Sequence, residues 1–411
     1  MLLPPANTPR GRGAGTRGRG RPGPAHRAHP ALQARRPGPG GAPGRAVRRG
    51  LRLGAQGATL RPCGRRSPRP AGRGGLPQGK PPRDARGLRM EIWFSPQPPK
   101  PRKPAMPLFK PSTLRLLKEA ARIPGYPLLE RLHGYVYLRW PYLYIGLGLG
   151  THPMARLLAP LAALATRLYP TRPDAHADPD RVTWADSYHG KALPLDEARR
   201  LVTVRRDIEI RDLEKVIPYK RARDLVLQSP GRIVALECPC RSAHETPCLP
   251  LDVCLVVGEP FASFVLEHHP GKSRLISPEQ AVEILEQEDR RGHVHHAFFK
   301  EALLGRFYAI CNCCSCCCGA MQAQRNGIPM LCSSGFVAEL DAAACAQCGL
   351  CAKRCQFQAL TFEGGVTRLD PAQCMGCGVC VNACPKGALS LRRDAARGEP
   401  LELQKLLAGA G

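Results

Sequence analysis

Cys345-Ala-Gln-Cys348-Gly-Leu-Cys351-Ala-Lys-Arg-Cys355, and then Cys374-Met-Gly-Cys377-Gly-Val-Cys380-Val-Asn-Ala-Cys384-Pro385, form the stretch from which the rest of this 411-residue chain is read. Both runs have the form C-x2-C-x2-C-x3-C. Soft, deprotonated sulfurs at that spacing fold around a cubane of iron and sulfide, and Gly349, Gly376 and Gly378 let the backbone come close to it. Zinc knuckles and disulfides are the competing uses of such cysteines. Four ligands per run, with both gaps matched, favour the cluster.

The two runs are also an internal repeat. Cys345 and Cys374 stand 29 positions apart, as do Cys355 and Cys384. The match extends outward: Leu340-Asp341 corresponds to Leu369-Asp370, and Ala359-Leu-Thr-Phe362 to Ala388-Leu-Ser-Leu391. Such a period marks a duplicated supersecondary unit. On these residues the segment from about Phe336 to Arg392 resembles the bacterial-type two-cluster ferredoxin domain, in which the fourth cysteine of each run serves the other cluster. The resemblance implies one [4Fe-4S] cluster on Cys345, Cys348, Cys351 and Cys384, and a second on Cys374, Cys377, Cys380 and Cys355. Gln356 departs from the family, which has proline there as at Pro385. The departure changes the turn and bears on that cluster's potential, not on the ligand set.

A chain of this length has room for two or three domains. Twenty cysteines would mean disulfides in a small secreted protein. Here they are bunched at metal-ligand spacings in a long chain with no secretory leader, which points to a reducing cytoplasm. The net charge of +28 is concentrated: residues 1 to 105 hold 24 Lys and Arg against two acids, Asp84 and Glu91. The folded remainder is near balance, so no specific nucleic acid partner is expected.

Residues 1–105 are Arg, Gly, Pro and Ala without period, and should be disordered. They lack the regular Arg-Gly-Gly spacing and interleaved aromatics of single-strand binders, which favours a true start at Met90 or Met106 over an RNA-binding arm. Residues 106–230 read as a mainly helical region. Ser112 or Thr113 is expected to cap a helix carrying Leu114, Leu116, Leu117, Ala120 and Ala121, closed by Gly125 and Pro127, before a short helix through Leu132. The aromatic stretch Tyr135 to Gly150 and the apolar Leu157 to Ala165 are too interrupted or too short to span a bilayer. Residues 135–168 could still seat the protein on the cytoplasmic face of a membrane or on a partner subunit, although a buried helical core is the ordinary reading. Residues 170 to 190 form a polar connection in which His189 reads as a structural residue. Helices are expected over Leu195 to Val202 and Tyr219 to Leu227, the second opened by Pro218.

A second cysteine district occupies 231–335. A short buried strand at 232 to 236 delivers Cys238 and Cys240, with Cys248 and Cys254 following, enough thiols for one cluster, with Arg241 offsetting part of its charge. A strand at Val253 to Val257, a helix at Phe261 to Glu267 and a capping box at Ser277-Pro-Glu-Gln280 come next. His293, His295 and His296 lie past that helix, where its dipole accounts for them as readily as metal ligation does. Cys311, Cys313, Cys314, Cys316, Cys317 and Cys318 put six thiols into eight residues. They ligate a centre of their own or add ligands to the Cys238 district, readings favoured over a structural or redox-disulfide role. Cys332 is a loose extra, and Cys63 stands alone in the tail.

The fold class that follows is α+β: a C-terminal ferredoxin-like duplicated βαβ domain at 336–395, a Cys-rich α/β domain at 231–335, a mainly helical region before it, and short tails at 1–105 and 396–411. The combined C-P-C-R, C-N-C-C-S-C-C-C and ferredoxin blocks resemble a group of prokaryotic iron–sulfur proteins over about Met106 to Leu407, which implies a redox role and carries no settled substrate. No G-x-G-x-x-G after a strand, P-loop or Ser/His/Asp set is present. The leading reading is an electron-transfer protein with two [4Fe-4S] clusters, an additional Cys-ligated centre and a redox partner protein. An oxidoreductase whose inner cluster binds substrate is the alternative, diagnosed by an iron with an exchangeable ligand. An RNA-binding scaffold acting through the tail is the third.

Overall fold

A computed structural model describes residues 110–155, 157, 158, 160 and 183–409. The expected disordered tail with both alternative starts, the polar connection up to residue 182 and most of the apolar run 157–165 lie outside the described residues.

Period-two alternation builds the centre. The strands are β1 (Tyr188–Leu193), β2 (Ile208–Ile210), β3 (Leu225–Leu236), β4 (Cys254–Glu259), β5 (Ser273–Ile276), β6 (Val294–Lys300), β7 (Arg306–Cys313) and β8 (Leu331–Cys332). They form one sheet in the order β2-β3-β4-β7-β6-β1-β8, with β5 also paired to β3. Every pairing is antiparallel except β1 with β8. Val234, Leu236, Val256, Phe298 and Tyr308 face one core, while Ile233, Ala235, Leu255, Val257, Ala297 and Phe299 face the other. Both faces are therefore buried, and helices cover each. Helices Pro111–Arg122, Leu128–Arg139, Phe261–His268 and Gly319–Arg325 pack on the first; Leu195–Val202, Pro278–Arg291 and Leu403–Gly409 pack on the second. A fully buried phenylalanine such as Phe264 or Phe298 contributes about 1.5–3 kcal/mol here.

Several expectations need correction. The helix read at Tyr219 to Leu227 is absent: Leu225 and Leu227 face one core as the start of β3, whose 12 residues extend the strand expected at 232 to 236. The boundary placed between residues 230 and 231 thus falls inside a strand. The region before it supplies β1 and β2 to the same sheet; β1 is buried on both faces and shows no amphipathic alternation to mark it, and β2 is only three residues long. Ser112 and Thr113 do not cap their helix. It starts at Pro111 with Lys110 at the N-cap, and both residues turn inward, the Ser112 N–H donating to Glu267 Oε2 at 2.9 Å and Thr113 Oγ1 lying 2.9 Å from His268 Nε2. The second helix runs to Arg139, past Leu132, and Pro141 opens a third over Pro141–Leu149. Among the described residues no helix is long and apolar enough to cross a membrane.

The C-terminal segment contains β9 (Phe336–Leu340), β10 (Leu360–Glu363), β11 (Val366–Leu369) and β12 (Leu389–Arg393). β9 pairs with β12 and β10 with β11, so each small sheet takes one strand from each copy of the repeat. The matching aspartates do matching work. The Asp341 N–H donates to Ala388 O at 2.9 Å and the Asp370 N–H to Ala359 O at 2.7 Å. Each carboxylate accepts the N–H two residues on, from Ala343 at 2.8 Å and Ala372 at 2.9 Å.

Candidate metal centres

Adjacent strand ends concentrate the inner thiols. Leu236, the last residue of β3, pairs with Cys254 at the start of β4, and β4 lies beside β7, which ends at Cys313. Cys238 leaves the end of β3 two residues later. On β7, Cys311 and Cys313 alternate around Asn312 and share the face of Val256 and Tyr308. A cavity of about 70 Å³ opens among them, lined by Cys238, Cys240, Cys254, Cys311, Cys313, Cys314 and Cys318 together with tyrosines and apolar side chains.

Six of these thiols form a continuous row. Cys254 contacts Cys311 and Cys238, Cys238 contacts Cys240, Cys240 contacts Cys318, and the Cys318 and Cys313 sulfurs lie 3.2 Å apart. Protons along the row are unequally held. Hydrogen bonding with Cys240 and Cys254 holds the Cys238 thiol well below its ordinary value, and hydrogen bonding with Cys240 and Cys313 does the same for Cys318. Cys240, Cys254 and Cys313 are pushed well above it. A metal ion binding among such closely packed sulfurs displaces their protons. Arg241 lines the cavity and is 1 % exposed. Its guanidinium donates to Glu288 Oε2 at 2.5 Å, to Pro250 O at 2.6 Å and to Asn312 O at 3.0 Å. Its charge is thus shared with a buried carboxylate, and would offset a cluster bound there by less than the sequence reading expects. Burial pushes the Glu288 carboxyl up, but the His293 hydrogen bond and the Arg241 charge hold it net below its ordinary value.

Cys248 does not join Cys238, Cys240 and Cys254. It meets Cys314, Cys316 and Cys317, and these four sulfurs all lie within 4.8 Å of one another. Hydrogen bonds from Cys248 and Cys316 lower the Cys314 thiol to about 6, and those from Cys248, Cys314 and Cys316 hold Cys317 far below its ordinary value. All ten inner cysteines named from the sequence therefore fall into one group of six and one of four. Cys332 takes no part. It is buried in β8 opposite Lys191, and burial raises its thiol to about 11. His293 is tied to Glu288 at 2.6 Å, and His295 Nδ1 lies 2.6 Å from Asn312 Oδ1. His189 sits between the carbonyls of Ala185 and Ala222 and stacks on Tyr219, as a structural residue does.

In the C-terminal segment two smaller cavities of about 20 Å³ each are lined by thiols. One collects Cys345, Cys348, Cys351 and Cys384; the other collects Cys355, Cys374, Cys377 and Cys380. The N–H groups of Ala338 and Gly376 donate to Cys374 Sγ at 3.3 and 3.4 Å, and that of Ala388 to Cys384 Sγ at 3.3 Å. Such donors stabilise thiolate and raise a cluster's potential. Gly349, Gly376 and Gly378 all have positive φ, at 67°, 63° and 80°.

Gln356 explains its own departure from proline. Its Oε1 accepts the N–H of Ser315, in the middle of the six-thiol block, at 2.8 Å, and its Nε2 donates to Gly292 O at 2.8 Å. Next to it, Phe357 lines the Cys355 cavity and lies 6.3 Å, ring to ring, from His296. His296 is fully buried, is lowered to about 4 by burial, and feels the charge of Cys318. Neither of its ring nitrogens has a hydrogen-bond partner. Sequence reading missed this bridge, although the glutamine in a proline position was its visible signal.

Residues 344–388 match the family described as a 4Fe-4S dicluster domain. The C-terminal segment is thus a ferredoxin-type domain, and with the clustered inner thiols it makes the chain an iron–sulfur, metal-binding protein. No curated protein matches the chain.

Proposed function

We propose that this protein carries electrons through a series of iron–sulfur centres: two [4Fe-4S] clusters in the C-terminal domain and at least one further centre on the inner cysteines. The observation that carries the reading is the grouping of thiols around the two small cavities, where three cysteines of each run meet the fourth of the other. In this reading Cys345, Cys348, Cys351 and Cys384 hold one cluster, and Cys374, Cys377, Cys380 and Cys355 the other. The clusters supply one-electron redox chemistry; the chain supplies ligands, N–H donors to sulfur and exclusion of water.

Burial suggests a direction. Cys348 is exposed, which suits exchange with a redox partner protein at the first cluster. The second cluster lies toward the interior, where Phe357 and His296 lead to Cys318 in the six-thiol row and Gln356 holds Ser315, between Cys314 and Cys316. Exposed Leu128, Leu129, Leu132, Trp140 and Leu157 support a partner or membrane contact near the stretch 135–168, part of which is described. No nucleotide or acid–base machinery is required.

The test is anaerobic purification with iron, sulfide and EPR analysis. About eight irons belong to the C-terminal domain, and twelve or more establish the inner centre, at four irons per cubane. Cys355→Ser should disturb the same EPR signal as Cys374→Ser, and Cys384→Ser the same signal as Cys345→Ser. Colourless, iron-poor protein ends the proposal, and Cys355→Ser acting on the Cys345 signal ends the crossed assignment.

A further inference from the structure

We infer that the inner cysteines form two separate centres of different kinds: a single-ion site on Cys248, Cys314, Cys316 and Cys317, and a polynuclear iron–sulfur centre on Cys238, Cys240, Cys254, Cys311, Cys313 and Cys318. The inference rests on the reading of these thiols as metal ligands and divides what that reading left as one district.

Size decides the first site. Four sulfurs tetrahedrally around one zinc ion, at about 2.3 Å each, stand about 3.8 Å apart. Cys248 and Cys316 lie 3.2 Å apart, Cys316 and Cys317 3.6 Å, and all four within 4.8 Å. A cubane holds its four thiolates outside a core of eight atoms and spreads them further than that. The site therefore takes one thiophilic divalent ion, zinc or ferrous iron, for which four thiolates are the fitting donor set. An ion there staples the 243–253 loop to the block after β7, two segments already joined where His244 Nε2 lies 3.3 Å from Cys317 O.

Size also separates the second site. Its cavity, about 70 Å³, exceeds the roughly 20 Å³ found between the thiols of each C-terminal site. Cys314 of the first site also borders it, while the six other cysteines of its lining form a continuous row; Arg241 lines it too, and its buried Nε has no hydrogen-bond partner. A buried donor left open on a side chain that lines a row of sulfurs fits a polynuclear, negatively charged cluster.

The experiment measures zinc, iron and acid-labile sulfide in the full chain purified without oxygen, as wild type, Cys316→Ser and Cys311→Ser. Cys316 is exposed, so its replacement leaves the core intact, and the C-terminal EPR signals report folding. Cys316→Ser should lose one ion per chain, zinc or iron unaccompanied by sulfide, and no sulfide. Cys311→Ser should lose iron together with sulfide and keep that single ion. Cys248→Ser, on the other side of the first site, must repeat the one-ion loss. Joint loss of iron and sulfide in Cys316→Ser, or unchanged metal content, overturns the division. A wild type without iron and sulfide defeats instead the electron-transfer reading, whatever the single ion does.

Discussion

Gly376 is held between the Cys374 thiol and β9: a side chain there would enter the space of the Phe336 carbonyl and the Ser334 hydroxyl, at a φ of 63°. Left-handed backbone at a non-glycine residue costs on the order of 1–3 kcal/mol before the clash is counted. Gly376→Ala should therefore lower the unfolding free energy by at least ~1 kcal/mol and release the iron of the Cys374 cavity, about half of the C-terminal content. Gly231→Ala is the control, since no atom lies within 4 Å of the added carbon. Lys300 is legible in another way. It is 2 % exposed, its ammonium stands 4.5 Å from the Tyr188 ring and 4.7 Å from that of Tyr137, and burial lowers its pKa from 10.5 to about 8. The folded value lies below the unfolded one, so holding the charge costs stability below pH 8. That cost fades as pH rises toward 10, and stability should rise by up to about 3 kcal/mol across the window. Denaturant unfolding at pH 7.5 and 9.5 checks this; Lys300→Met should flatten the rise, and an unchanged rise in the variant refutes the assignment.

Among elements, those whose signal is local could be read in advance. The capping box is one: Ser277 Oγ accepts the Gln280 N–H at 3.2 Å, Gln280 Oε1 accepts the Ser277 N–H at 3.0 Å, and the helix runs Pro278–Arg291 as its cap requires. Leu195–Val202 and β4 are others. β1 was not legible, because Tyr-His-Gly-Lys-Ala-Leu is buried on both faces and hides His189 and Lys191 among its neighbours. The loop after Cys355 belongs at this scale too. Gln356→Ala removes two hydrogen bonds that join the C-terminal domain to Ser315 and Gly292, each contributing about 1 kcal/mol. Iron and sulfide content should stay at the wild-type value while the proposed electron transfer from the C-terminal domain to the inner cysteines slows, as followed by stopped-flow reduction. Transfer at the wild-type rate would rule out this contact as part of the route.

At the scale of the whole molecule, spacing along the chain settled what the C-terminal domain is made of. Ligand order within a C-x2-C-x2-C-x3-C run is a short-range property, and a repeat of 29 residues records the duplication directly. That the chain binds iron–sulfur was likewise legible from residue type and spacing. The partition of the inner thiols was beyond sequence reasoning. Cys313 and Cys314 are neighbours in the chain yet line different groups, and Cys248 joins residues 66 and more positions away instead of Cys254. The direction of a side chain at a strand end depends on which strands lie beside it, and β3, β4 and β7 become neighbours only when the sheet assembles. Contact between Gln356 and the six-thiol block is equally a product of assembly, since only packing of the C-terminal domain on the sheet brings residues 41 apart within hydrogen-bond reach.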